Sequence, residues 1–321
     1  MAYDLSNYLV IGISSRALFD LSMENEIYEK KGLEAYCQYQ LEHESDILQP
    51  GTGFALIEAM LKINQIDRNK RHIEVVIVSR NSADTSLRIS NSIDHYKLDI
   101  TRAAFTGGEP VAKYLNAFDV DLFLSATEED VQAAVESQVA SGLIYDGPSQ
   151  TPGAALKQIR IAFDGDAVLF SEESEEIYQT QGLEAFIQHE KQNAQLPLPE
   201  GPFAKLLKTL SYLQFQLDGL IDGPTMIRTA LVTARNSPAH ERVIRTLRAW
   251  KVRIDETFFL GGVPKDRVLK SFSPHIFFDD QHRHCDDASR VVPTARVPYP
   301  KKASIPSDQH KAVSDTRALK T

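Results

Sequence analysis

Short runs of β-branched and aromatic residues alternate along this chain with longer stretches in which apolar residues recur every three or four positions. In the second half the apolar runs are IRIAF (159–163), RTALVT (228–233), TFFL (257–260) and HIFF (275–278). Runs of that length and content read as strands. The segments between them, 172–191, 202–217, 238–250 and 264–272, carry helical spacing. Such alternation predicts an α/β fold with a mostly parallel sheet and helices on both faces, because each parallel connection has to cross over the sheet. Ligands of these sheets bind beyond the carboxyl ends of the strands, so the residues that follow each run are where chemistry is expected.

The pattern occurs twice. EIYEKKGLEA at 26–35 and EIYQTQGLEA at 176–185 share seven identical positions at an offset of 150. VIVSRNS at 76–82 parallels ALVTARNS at 230–237, FTGGEP at 105–110 parallels FLGGVP at 259–264, and DLFLSA at 121–126 parallels HIFFDD at 275–280. Four anchors in one order predict two tandem homologous lobes, 1–150 and 151–297. The Gly-, Pro- and Ser-rich stretch 141–158 reads as their connection, and the polar, aperiodic residues 298–321 read as a disordered tail.

The ends of the second-half runs are chemically distinctive. IRIAF is followed by Asp164, Gly165 and Asp166, and the glycine lets the chain bend so that both carboxylates face one point. Two anions that close do not both ionise readily unless a cation or a proton lies between them. Either arrangement is useful: one carboxylate can attack phosphorus while a divalent cation neutralises charge and the other moves a proton. Thr233 ends the second run, Lys265 follows two glycines, and Asp279 and Asp280 end the last run.

Bulk properties narrow the class. The 321 residues, 42% of them apolar, suffice for two domains. A net charge of −9 disfavours a nucleic-acid polymer or an anionic membrane as partner, and a small anionic substrate would need a local reversal of field. Cys37 and Cys285 lack the spacing of a disulfide framework or a thiolate zinc site. The acid in MAYDLSNY and the shortness of the apolar run after it argue against a signal peptide or a membrane span, so a soluble intracellular protein is expected.

DGDAV (164–168), LVTAR (231–235), GGVPK (261–265) and FFDD (277–280) together resemble the four motifs of haloacid dehalogenase-type phosphohydrolases. With ISSRALFDL, YQLEHE, NSIDHY, FTGG, AFDGDAVLFS, HEK and PHIFFDDQ, the likeness extends to the cytosolic type I 5'-nucleotidase family over about residues 8–298. That resemblance implies two Rossmann-like lobes, the second with a small helical cap built from the insert 171–203. It implies Asp164 as nucleophile, Asp166 as general acid and base, and Thr233, Ala234, Arg235 and Lys265 around the phosphate. Mg²⁺ would be held by Asp164, Asp279 and the backbone carbonyl of Asp166, with Asp280 a further candidate. The implied substrate is a nucleoside 5'-monophosphate, AMP first and other purine or deoxynucleotides next, and the implied protein is cytoplasmic and a homo-oligomer. The residues alone leave open a phosphatase of another phosphomonoester, such as a sugar phosphate, and a nucleotide-binding regulatory protein with little turnover.

At the repeat-equivalent positions the first lobe has Ser14, Arg16, Val78, Val111, Ser125 and Ala126, so it is expected to be non-catalytic. Arg235 and Asn236 recur there as Arg80 and Asn81, which sets a shared structural role against a phosphate or ribose contact. Two further features have competing readings. DDQHRHCDD (279–287) reads as a pocket rim or a zinc site, and Tyr178, Phe186 and Phe203 read as core or as a platform for a base.

Overall fold

The apolar runs become strands within a residue or two of the predicted bounds. The computed structural model describes residues 4–67, 70–148, 158–220, 225–236 and 238–300. Its strands are, in chain order, β1 (Leu9–Ile13), β2 (Phe19–Asp20), β3 (Gln49–Pro50), β4 (Ile73–Ser79), β5 (Arg102–Phe105), β6 (Leu122–Ser125), β7 (Ala140–Ile144), β8 (Ile159–Phe163), β9 (Ile227–Thr233), β10 (Glu256–Phe259), β11 (Ile276–Asp279) and β12 (Thr294–Arg296). Ten of them form one sheet in the order β10-β9-β8-β11-β12-β7-β6-β1-β4-β5, while β2 and β3 pair separately. Every neighbour in the large sheet is parallel except β12 and β7. The fold is therefore α/β, with helices between the strands of a large, mostly parallel sheet.

Outward from the β7–β12 seam the order is β6-β1-β4-β5 on one side and β11-β8-β9-β10 on the other. The backbone repeats in detail as well. Gly32 (φ 83°, ψ −178°) kinks the helix Ser22–Glu42, and Gly182 (φ 85°, ψ 179°) kinks the helix Glu173–Gln192. That region of backbone space is almost closed to residues with a Cβ.

The expected connection 141–158 begins instead as a strand. β7 pairs with β6 through Leu124 and Gly142, and with β12 through Ile144 and Ala295. Gly142 is a packing requirement, since a Cβ there would come within 2.9 Å of the Ala295 Cβ. Residues 149–157 of the connection, and 301–321 of the expected tail, lie outside the described residues. The tail's first residues are placed, with Gln132 Nε2 donating to the Tyr299 carbonyl at 3.0 Å.

Two helices cover the middle of the sheet. Phe54–Ile63 contributes Leu56 and Met60, and Ala204–Asp218 contributes Leu206 and Leu210, each pair four residues apart and so on one helix face. They gather around Leu9, Ile11, Leu122, Ile161, Ile276 and Phe278 from the strands. Full burial of each such leucine is worth about 1.5–3 kcal/mol. Phe163, Phe203 and Phe278 pack with ring centroids 5.6, 6.4 and 4.7 Å apart, forming a floor directly before Asp164 and Asp279 in the chain. Phe203 is thus core, not a platform for a base.

Candidate active site

Strand register brings the acids together. Phe163 of β8 pairs with Phe278 of β11 and with Leu231 of β9, so the next residues, Asp164 and Asp279, emerge side by side with the end of β9 adjoining. Both acids are buried, Asp164 at 5% exposure and Asp279 at 0%. Asp164 Oδ1 accepts from Lys265 Nζ at 2.5 Å, and Asp279 Oδ2 accepts from the same ammonium at 2.6 Å. Gly261 (φ 55°) and Gly262 (φ 91°) form the left-handed turn before the helix Lys265–Phe272, which places Lys265 in its first turn, as the spacing predicted.

The third acid is Asp280. One oxygen from each of Asp164, Asp279 and Asp280 lies within 4.8 Å of the others. Burial pushes the Asp164 carboxyl up to about 7, with the Lys265 ammonium opposing the rise. Burial, with Asp164 and Asp279 beside it, pushes Asp280 up to about 8. For Asp279 burial is outweighed by Lys265 and His284, whose Nδ1 is 3.4 Å away, and the carboxyl is held below its ordinary range. Burial alone would lower Lys265, yet Asp164 and Asp279 hold it well above the usual lysine range. With all three acids ionised, one ammonium leaves an excess of two negative charges, which a single divalent cation balances. The fit is chemical too, because the donors are all oxygen and the buried Oδ1 of Asp280 has no hydrogen-bond partner.

Asp166 stands apart from these three. The chain turns tightly after Asp164, with Phe170 N donating to the Gly165 carbonyl at 2.9 Å and Ala167 forced into the left-handed region at φ 64°. Gly165 allows this turn to sit against β9, since a Cβ there would lie 3.3 Å from Thr233 Oγ1. The Asp166 carboxylate accepts two bonds from one guanidinium, Arg235 Nε to Oδ2 at 2.7 Å and Nη2 to Oδ1 at 2.6 Å. Arg235 Nη1 reaches the other way, to Glu190 Oε2 at 2.5 Å. Glu190 Oε1 in turn accepts from Arg242 Nη1 at 3.0 Å and from the Ser174 hydroxyl at 2.9 Å. Burial would lower Arg235, but Asp166 and Glu190 hold it well above its ordinary range.

Of the remaining residues singled out in the sequence, Thr233 is 1% exposed at the end of β9, where its Oγ1 accepts from the Arg235 amide at 3.2 Å. Ala234 is exposed beside it. Phe186 is buried under the Arg235 guanidinium, 5.3 Å from its ring centroid, so it supports the ion pair rather than an open platform. His282 Nδ1 lies 3.0 Å from the Tyr145 hydroxyl, while Asp286 and Asp287 are exposed. Among the described residues, the group able to hold a metal is Asp164, Asp279 and Asp280. In the first half Ser14 caps the turn after β1 by accepting from the Ala17 amide at 3.3 Å, and Val78 and Val111 are fully buried. Both cysteines are free.

Sequence reasoning includes HEK (189–191) in the family likeness but gives Glu190 no role, and it misses Tyr299. Glu190 is an acid in a polar helix, with nothing in its spacing to mark it as buried. Tyr299 falls in the stretch read as tail, yet burial and the nearby acids Glu172, Asp280 and Asp166 raise its hydroxyl above the ordinary tyrosine range.

Among the described residues, no helix is long and apolar enough to cross a membrane. A family model described as 5'-nucleotidase matches residues 1–304. Human cytosolic 5'-nucleotidase 1B is 38% identical over 305 residues, which is 93% of this chain and 50% of that protein. The chain thus spans about half the length of this curated relative. No solved structure matches the chain. With a match over nearly its whole length and this degree of identity, the chain belongs to the cytosolic type I 5'-nucleotidase family.

Proposed function

We propose that this protein hydrolyses nucleoside 5'-monophosphates, AMP foremost, to nucleoside and phosphate through an aspartyl-phosphate on Asp164. The observation that carries the reading is the buried set of Asp164, Asp279 and Asp280 around Lys265 at the carboxyl ends of β8 and β11. A carboxylate beside an ammonium at 2.5 Å is held in one orientation. Phosphoryl transfer asks mainly for such fixed positioning and for positive charge near the equatorial oxygens.

In this reading an oxygen of Asp164 attacks phosphorus as the bond to the ribose O5' breaks. Asp166, entering the step protonated with one oxygen released from Arg235, delivers that proton to O5', then takes one from the water that attacks the phosphoenzyme, and Asp164 is regenerated as phosphate leaves. Lys265 offsets charge on Asp164 and on the phosphoryl oxygens, and Thr233 donates its hydroxyl to one of them. Asp164, Asp279 and Asp280 would hold Mg²⁺, which supplies charge neutralisation and orientation of the phosphate when bound. The helix Glu173–Gln192 serves as the cap over the leaving nucleoside.

The mirrored strand order and the paired kinks at Gly32 and Gly182 support two tandem lobes, haloacid dehalogenase-like in plan, and the acid cluster of Asp164, Asp279 and Asp280 among the described residues supports a working site in the second. The relative's name supports a cytosolic setting, and the homo-oligomer stands as part of the same proposal. Phosphate release from a panel of nucleotides and sugar phosphates, with and without Mg²⁺, tests the reading. Asp164→Asn should lower release by at least about 10³-fold. A sugar phosphate turned over faster than every nucleotide, or full activity in Asp164→Asn, would overturn it.

A further inference from the structure

The two halves of the chain build nearly the same hydrogen-bond frame around one arginine, and the difference between them isolates a role for Glu190. In the second half Arg242 Nε donates to the Leu196 carbonyl at 3.0 Å, and Leu198 N donates to Thr246 Oγ1 at 2.9 Å. In the first half Arg88 Nε donates to the Asp46 carbonyl at 2.9 Å, and Leu48 N donates to Ser92 Oγ at 3.0 Å. Leu196 and Leu198 stand 150 positions after Asp46 and Leu48, the offset of the sequence repeat.

At that offset Ser174 corresponds to Glu24 and Glu190 to Gln40. The carboxylate has changed places. In the first half Glu24 holds the arginine, with Arg88 Nη1 donating to Glu24 Oε1 at 2.5 Å and to Gln40 Oε1 at 3.2 Å. In the second half Glu190 holds it, and Ser174 contributes only a hydroxyl. Holding this arginine therefore does not require a carboxylate at position 190.

What position 190 adds is reach toward Arg235. Arg80 occupies the corresponding place in the first half and turns away to Asp130, with Nη2 donating to Oδ1 at 2.6 Å. The first half also has Arg16 where the second has Asp166. So the half that carries Asp166 is the half whose carboxylate sits on the far side of the guanidinium that grips Asp166.

We infer that Glu190 is a positioning residue of the nucleotidase reaction: from the cap helix it fixes Arg235, and through Arg235 it sets the direction in which the Asp166 carboxylate points. Glu190 is fully buried and each of its oxygens is occupied, so its grip on Arg235 is set by packing and not by solvent. Asp166 binds Arg235 with both oxygens, and it must release one bond to serve the leaving oxygen while the other keeps it aligned. The link also ties the cap helix to the catalytic turn. This inference rests on the proposed nucleotidase reading.

The test uses the full chain and AMP. Glu190→Gln removes the charge with little change of shape. Ser174→Glu combined with Glu190→Gln transplants the first-half arrangement, which satisfies Arg242 as Glu24 satisfies Arg88. Both should cut kcat roughly 10- to 100-fold, a fraction of what a general acid supplies, with KM changed by less than about threefold. Placed on Asp166→Asn, neither should lower kcat further, because the effect acts through Asp166. Recovery of full kcat in the transplant variant, its failure to fold, or a loss that persists undiminished over Asp166→Asn would each make Glu190 a structural residue and overturn the inference. A parent protein that turns over no nucleotide sinks the nucleotidase reading, and the inference with it.

Discussion

Binding of Mg²⁺ to this site should release protons, and the structure sets how many. Asp164 is pushed up to about 7 and Asp280 to about 8, mainly by burial. At pH 6 both carboxyls therefore hold protons that a cation must displace, whereas at pH 8 only Asp280 still holds a partial one. Because Asp164 helps to raise Asp280, the two protons leave as a coupled pair, and the doubly ionised form that a cation requires rises by about a hundredfold or more between pH 6 and pH 8. Calorimetric titration of the full chain with MgCl₂, in two buffers of different ionisation enthalpy, counts the protons directly. About two should leave at pH 6 and about half of one at pH 8. An affinity that is flat across this range, with no proton release, would refute the reasoning.

The same shifts fix the sign of stability without metal. Asp164 and Asp280 have folded-state values above the unfolded carboxylate value, so the folded chain binds more protons than the unfolded one from about pH 4 up to about pH 7–8. Their joint contribution therefore falls as pH rises through that window. Asp279, held below its ordinary range, acts in the opposite sense: its contribution is present above the ordinary carboxylate value and is lost as pH falls through the folded one.

Two other substitutions separate charge from backbone. Lys265→Met removes the cation between Asp164 and Asp279 and should destabilise the metal-free chain by about 3–5 kcal/mol at pH 8; urea unfolding should show a smaller cost at pH 5, where protonated carboxyls repel less, and equal costs at both would count against the charge argument. Gly182→Ala meets no atom within 4 Å, so its cost is purely conformational, about 1–3 kcal/mol by urea unfolding, and a cost near zero would mean that the kink is not held in the folded protein.

The strand and helix pattern of the second half was legible because its central strands are buried and β-branched. IRIAF coincides with β8, and the stretch 172–191 differs by one residue at each end from the helix Glu173–Gln192. The ends of those strands were legible for a related reason, since acids and a threonine directly after buried runs have few structural uses. The seam was not. Gly142 in β7 and Ala295 in β12 are small where the two strands pass close together, and small residues at a close approach look the same in sequence as a loop. The burial of Glu190 escaped notice for a different cause. Its burial depends on Arg235 and Arg242, which lie 45 and 52 residues away, and no local period encodes a partner at that distance.

The antiparallel contact between β7 and β12 gives the first half of the chain a task that does not depend on chemistry. Were β12 left bare, its unpaired amides and carbonyls would form an open rim inviting adhesion to other chains. The strand that seals this rim, β7, is supplied by the first half, so that half completes the sheet around the acid cluster whatever chemistry it performs itself.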